Sequence, residues 1–85
     1  MESTTPVFYY RNGCHLCEEL AALLFRGWPE QAAAMEWRDV DQRPDWRTAY
    51  GDRVPVLISG EDTICVLQAD LVRIAEYFGE MANPV

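Results

Sequence analysis

Eighty-five residues can build one hydrophobic core and leave no room for a second, so the chain 1–85 is read as one domain. Hydrophobic residues at 49% and charged residues at 25% are the balance of a globular chain and not of a disordered one. Fourteen acidic against seven basic side chains give a net charge of -7, which repels phosphate backbones and anionic membranes. Neither nucleic acid nor a membrane is therefore expected as a partner.

The opening residues, Met1 to Pro6, carry no basic segment and no apolar run, so no signal peptide is expected. No apolar run is long enough to span a bilayer. A cytoplasmic location is the resulting expectation, and in that reducing compartment structural disulfides are rare. Three cysteines suit it, as one functional pair, Cys14 and Cys17, with Cys65 left over.

Val7 to Tyr10 is apolar on both alternating faces, as a central strand covered on both sides requires. Arg11-Asn12-Gly13 breaks it with turn residues. Leu16, Leu20, Leu23 and Leu24 then follow the stripe of an amphipathic helix, which Gly27 and Trp28-Pro29 should stop. Pro29 to Ala34 reads as a connection, and Met35 to Val40 as a second, half-exposed strand. A helix between two strands implies that they lie parallel through a right-handed crossover. Asp41 to Arg53 is turn-rich, with a short helix expected around Asp45 to Tyr50. Val54 to Ile58 and Thr63 to Leu67 read as an antiparallel hairpin around Ser59-Gly60-Glu61-Asp62. Leu71, Ile74, Ala75 and Phe78 mark the buried face of a last helix, with Gly79 as its stop and a tail from Met81. The order is β-α-β-(α)-β-β-α, an α/β layer sandwich.

The chemistry lies in Cys14-His15-Leu16-Cys17, directly after the first strand and at the head of the first helix. A strand before and a helix after such a pair mark a redox motif in an intracellular chain. The helix end favours a thiolate, because unpaired amides and the dipole stabilise negative charge there. Cys14 at the helix start is the attacking thiol; Cys17, one turn in and shielded, is the resolving thiol. His15, when protonated, would add positive charge beside Cys14, and Arg11 is a second candidate cation. A solvent-facing role for either is the plain alternative. Zinc is disfavoured, because three cysteines and one histidine make a poor tetrahedral set within one chain. Cluster or metal carriage between two chains stays open. Cys65, in mid-strand, is read as an ordinary buried thiol.

Taken together, Tyr10-Arg11-x-Gly13-Cys14-His15-Leu16-Cys17-Glu18, Asp39-Val40-Asp41, Tyr50-Gly51-x-Arg53-Val54-Pro55-Val56-Leu57 and Ala69-Asp70-Leu71 resemble the glutaredoxin-like branch of the thioredoxin-like superfamily. The likeness is nearest to small bacterial glutaredoxin-like proteins of uncharacterised function. It implies a four-stranded mixed sheet whose third strand is antiparallel to the first, and Pro55 as a cis proline. It implies that Val54 presents backbone groups to a substrate strand, and that Arg11 and Asp70 match residues near the family's substrate site. Two departures stand out: Val66 to Asp70 lacks the family's glycine pair, and Val54 replaces the usual threonine.

The function expected is thiol–disulfide exchange on a protein disulfide or a low-molecular-weight one. A cellular reductase or glutathione would be the electron donor. No resident cofactor is expected, and glutathione is at most a co-substrate given the missing glycines. A monomer is expected. The alternative is a redox-responsive binding module with little turnover.

Overall fold

Val7–Tyr10 forms β1, with parallel β2 (Glu36–Asp39) on one side and antiparallel β3 (Val56–Ser59) on the other. The computed structural model describes residues 5–82; the start of the chain and the end of the expected tail, residues 1–4 and 83–85, lie outside them. β3 turns through Gly60 into antiparallel β4 (Asp62–Val66), and the sheet order is β2-β1-β3-β4. The two most apolar strands are thus central and both of their faces can be covered.

Alternation along β1 divides the core in two. Phe8 points to the face that carries α1 (His15–Gly27) and α4 (Leu71–Phe78), joining Leu20, Leu24, Leu57 and Ile74. Tyr9 points to the other face, with Val40, Val54 and Val56, and Cys17, in the first turn of α1, completes that cluster. There Tyr50 of α3 (Pro44–Tyr50) stacks on the Tyr9 ring at 4.0 Å, and Trp46 meets it edge-on at 6.0 Å. Arg38 reaches over from β2, donating to the Tyr9 hydroxyl at 2.6 Å and covering the Trp46 ring at 5.0 Å. α3 buries no residue fully, so this aromatic and guanidinium layer is what docks it.

Three expectations need correction. Pro29–Ala34, expected as a connection, is a helix, α2. Proline ends one helix but suits the first position of the next, and the alanines supply propensity. Trp28 serves as the cap of both helices, and its carbonyl accepts the Ala32 N–H at 2.9 Å. Leu71, expected on the buried face of the last helix, is 47% exposed at the first position of α4. Leu16 is likewise 46% exposed in the first turn of α1, although the leucine stripe placed it inside.

A register shift explains a further feature. Leu57 pairs with Cys65 and Ile58 with Thr63, so Ile64 is an extra residue on β4. The bulge lets Ile64 and Cys65, neighbours in sequence, enter one core. Burial pushes the Cys65 thiol pKa up, which keeps it protonated.

Leu67, just past β4, is the one non-glycine residue with positive φ (71°) among the described residues. Its N–H donates to the Pro55 carbonyl at 2.9 Å and to the Arg53 carbonyl at 3.2 Å, tying this bend to the loop before β3. Left-handed backbone costs an ordinary L-residue about 1–2 kcal/mol, and a β-branched one more. Leu67→Val is therefore expected to lower stability by about 1 kcal/mol and Leu67→Gly to raise it by about 0.5 kcal/mol. Urea unfolding checks both; equal midpoints for the two variants would contradict the strain argument.

Candidate functional site

The turn from β1 into α1 positions the first cysteine. The Cys14 N–H donates to the Arg11 carbonyl at 3.2 Å, closing a four-residue turn with Gly13 at φ +81°. Positive φ at the third turn position favours glycine. Cys14 leaves this turn as the N-cap of α1, and its sulfur accepts the Cys17 N–H at 3.2 Å. The Cys14 sulfur thus occupies the place where unpaired helix amides converge.

The two cysteines are joined as a disulfide, with 5.2 Å between their Cα atoms. Their exposures differ. Cys14 is partly exposed, whereas Cys17 is 3% exposed and packs with Tyr9, Val40, Val54 and Val56. Val54 belongs to this same cluster, and Cys14 packs against it. The Val54–Pro55 peptide is cis. Backbone hydrogen bonds are made at Arg53 and at Pro55, with none at Val54 among the described residues.

The Arg11 guanidinium is engaged by Asp41 and Gly51. Its Nε and Nη2 donate to the two carboxylate oxygens of Asp41 at 3.1 and 3.2 Å, and Nη1 donates to the Gly51 carbonyl at 3.3 Å. Arg47 also donates to Asp41, through Nε at 3.3 Å. Gly51 makes room for this: a Cβ there would stand 2.5 Å from the Arg47 carbonyl oxygen and 3.1 Å from Arg11 Nη2. Beneath Asp41, the Asp39 carboxylate accepts the Asp41 N–H at 2.9 Å and the Asn12 amide at 3.2 Å. Carboxylates at the end of β2 therefore hold the loop before Cys14 in place.

His15 points into solvent and pairs with Glu19 one turn on, at 2.8 Å. Asp70 caps α4, accepting the Arg73 N–H at 3.1 Å, and lines a groove separate from the pair. Cys14, Cys17 and Val54 thus come together, with Pro55 beside them and Arg11 behind. His15 and Asp70 do not join that cluster. Asp41 joins the site unannounced by the residues around the cysteines; the signal in the chain is Asp39-Val40-Asp41, which closes a strand parallel to β1.

The Arg11 guanidinium, hydrogen-bonded to the Asp41 carboxylate, holds its pKa below the usual carboxylate range, with Arg47 adding to the effect. A lowered folded-state value stabilises the fold above the unfolded pKa of about 4 and is lost as pH falls through the folded value. Asp41→Asn should be less stable than the parent chain at neutral pH, and the gap should close on acidification below about pH 4. Thermal unfolding from pH 2 to 7 checks this; a constant gap would refute it.

A four-stranded mixed sheet with helices on both faces and a CxxC disulfide at a helix head defines a thioredoxin-like fold. Residues 6–79 match the family described as Glutaredoxin-like domain (DUF836), and the chain belongs to that family. It is similar over 92% of its length to the solution structure of protein Ne2328 from Nitrosomonas europaea, at 33% identity, TM-score 0.65 and 94% of that chain. It is also similar to the X-ray structure of XcR50 from X. campestris, at 27% identity and TM-score 0.67, covering 86% of this chain and 93% of that one. No curated protein matches the chain significantly. Family and disulfide together fit a redox role. No helix among the described residues is long and apolar enough to cross a membrane.

Proposed function

We propose that the protein is a thiol–disulfide oxidoreductase acting by dithiol exchange in the reducing cytoplasm. The observation that carries this reading is the contrast within the pair: a partly exposed sulfur on the helix amides and a buried one a turn behind.

In the reduced protein the Cys14 thiolate attacks one sulfur of a substrate disulfide. A Cys14–substrate bond forms, the substrate S–S bond breaks, and one thiolate leaves and takes a proton from water. Cys17, deprotonated, then attacks the Cys14 sulfur and releases the second substrate thiolate. Two electrons have passed from the protein dithiol to the substrate, and the Cys14–Cys17 disulfide remains. A dithiol reductase or glutathione would restore it. Val54, with its backbone groups free, offers pairing to an extended substrate segment beside the sulfurs.

The test is a pH titration of thiolate absorbance in the reduced protein, with Cys14→Ser and Cys65→Ser as references. Cys14 should titrate well below the free-thiol value of about 8.5. A value at or above it would remove the mechanism.

A second reading, a redox-responsive binding module, draws on the exposed Leu16, Leu67 and Leu71. Partner binding that changes with redox state, without turnover of any disulfide, would favour it.

A further inference from the structure

Beside the pair, on the Phe8 face of β1, lies an open recess of about 190 Å³. Tyr10 and Trp37 supply aromatic surface over the buried Phe8, and Gly13, the neighbour of Cys14, and Glu18 bring the recess to the redox centre, with the buried Cys17 also in its lining. Its charges are unequal. Arg11 also lines the recess, but its guanidinium is committed to Asp41 and to the Gly51 carbonyl. Glu18 is exposed and has no ion pair among the described residues. Arg53, exposed ahead of Val54, does not line the recess. Aromatic faces and a free carboxylate attract ammonium groups; a neutralised arginine offers little to a carboxylate.

We propose that this recess is a substrate subsite for amine-bearing small disulfides, with Glu18 as the ammonium contact and Asp41 as the positioning residue that withholds Arg11 from anionic substrates. The inference rests on the exchange reading above and adds the substrate's charge class. The step is the same exchange: an amine-bearing disulfide RS–SR accepts two electrons and leaves as two thiols, and the protein leaves as the Cys14–Cys17 disulfide. The ammonium group stays in the recess while Cys14, next to the Gly13 that lines it, attacks the nearer sulfur of the same disulfide.

Single-turnover oxidation of the reduced protein, followed by tryptophan fluorescence, separates the possibilities. Three oxidants of similar size are compared: cystamine (cationic), 2-hydroxyethyl disulfide (neutral) and 3,3′-dithiodipropionate (anionic). At low ionic strength cystamine should react about tenfold faster than dithiodipropionate, and the ratio should shrink toward unity in about 1 M salt. Glu18→Gln should slow cystamine alone, several-fold more than Glu30→Gln, which removes the same charge on α2. Asp41→Asn should speed dithiodipropionate. A ratio near one at low salt, or equal effects of Glu18→Gln and Glu30→Gln, would overturn the subsite while leaving exchange intact. Failure of the neutral disulfide to oxidise the pair would overturn the exchange reading itself, and this inference with it.

Discussion

Replacing Cys17 with serine is expected to turn the protein into a trap. Cys14 should still attack a disulfide, because its thiolate depends on the helix head and not on the sulfur of Cys17. With no second thiol to release it, the captured half should stay on Cys14. Intact mass should show the protein plus one substrate half, removed by dithiothreitol. Cys14→Ser should reduce turnover to background, because the remaining sulfur of the pair is 3% exposed. The same contrast sets alkylation order in the reduced parent chain. Iodoacetamide should label Cys14 first, with Cys17 and Cys65, each 3% exposed, protected until the fold opens. Equal labelling of Cys14 and Cys17, or an adduct on Cys17 in Cys14→Ser, would reverse the assigned roles.

Much of this site could be read from the chain, for identifiable reasons. The pair's place followed from local signals: an apolar strand, turn residues and a leucine stripe, all within about twenty residues and each tied to backbone geometry. Side chains that reach across the fold leave no such local mark. Sequence marks Arg11 as a charge near the thiols, but its partner lies thirty residues on, just past β2. Periodicity placed Leu16 and Leu71 inside because it records which face of a helix a residue occupies, not whether sheet lies beneath that turn. Both sit in the first turn of their helices and are exposed. Pro29 signals the stop of one helix and equally the start of the next, and only the burial of Trp28 shows that two helices share one joint. The β4 bulge was out of reach for a similar reason. Alternation would put Ile64 and Cys65 on opposite faces, and only the pairing register with β3 reveals that they share one.

That joint carries the largest expected effect on stability. Trp28 is 2% exposed, meets Phe78 edge-on at 6.4 Å, and donates its indole N–H to the Gly79 carbonyl at 2.7 Å. Two further bonds close the same seam: Gln31 Nε2 to the Phe78 carbonyl at 3.3 Å, and the Ala82 N–H to the Gly27 carbonyl at 2.6 Å. The end of α4 is thus fastened where α1 gives way to α2, at the far end of the helix that carries Cys14. Trp28→Ala removes an indole from the core and is expected to cost about 3–5 kcal/mol. A domain of this size has a total of roughly 4–13 kcal/mol, so the variant should sit near the edge of folding at 37 °C. Trp28→Phe retains most of the apolar contact but loses the N–H, and is expected to cost about 1–2 kcal/mol. Urea unfolding of the two variants measures the difference. Because the disulfide lies at the opposite end of α1, the Cys14 thiolate pKa of Trp28→Phe at low temperature should match that of the parent chain. If that pKa moved with the loss of stability, the seam would be setting the chemistry of the helix head, and the site could not be described from its own residues alone.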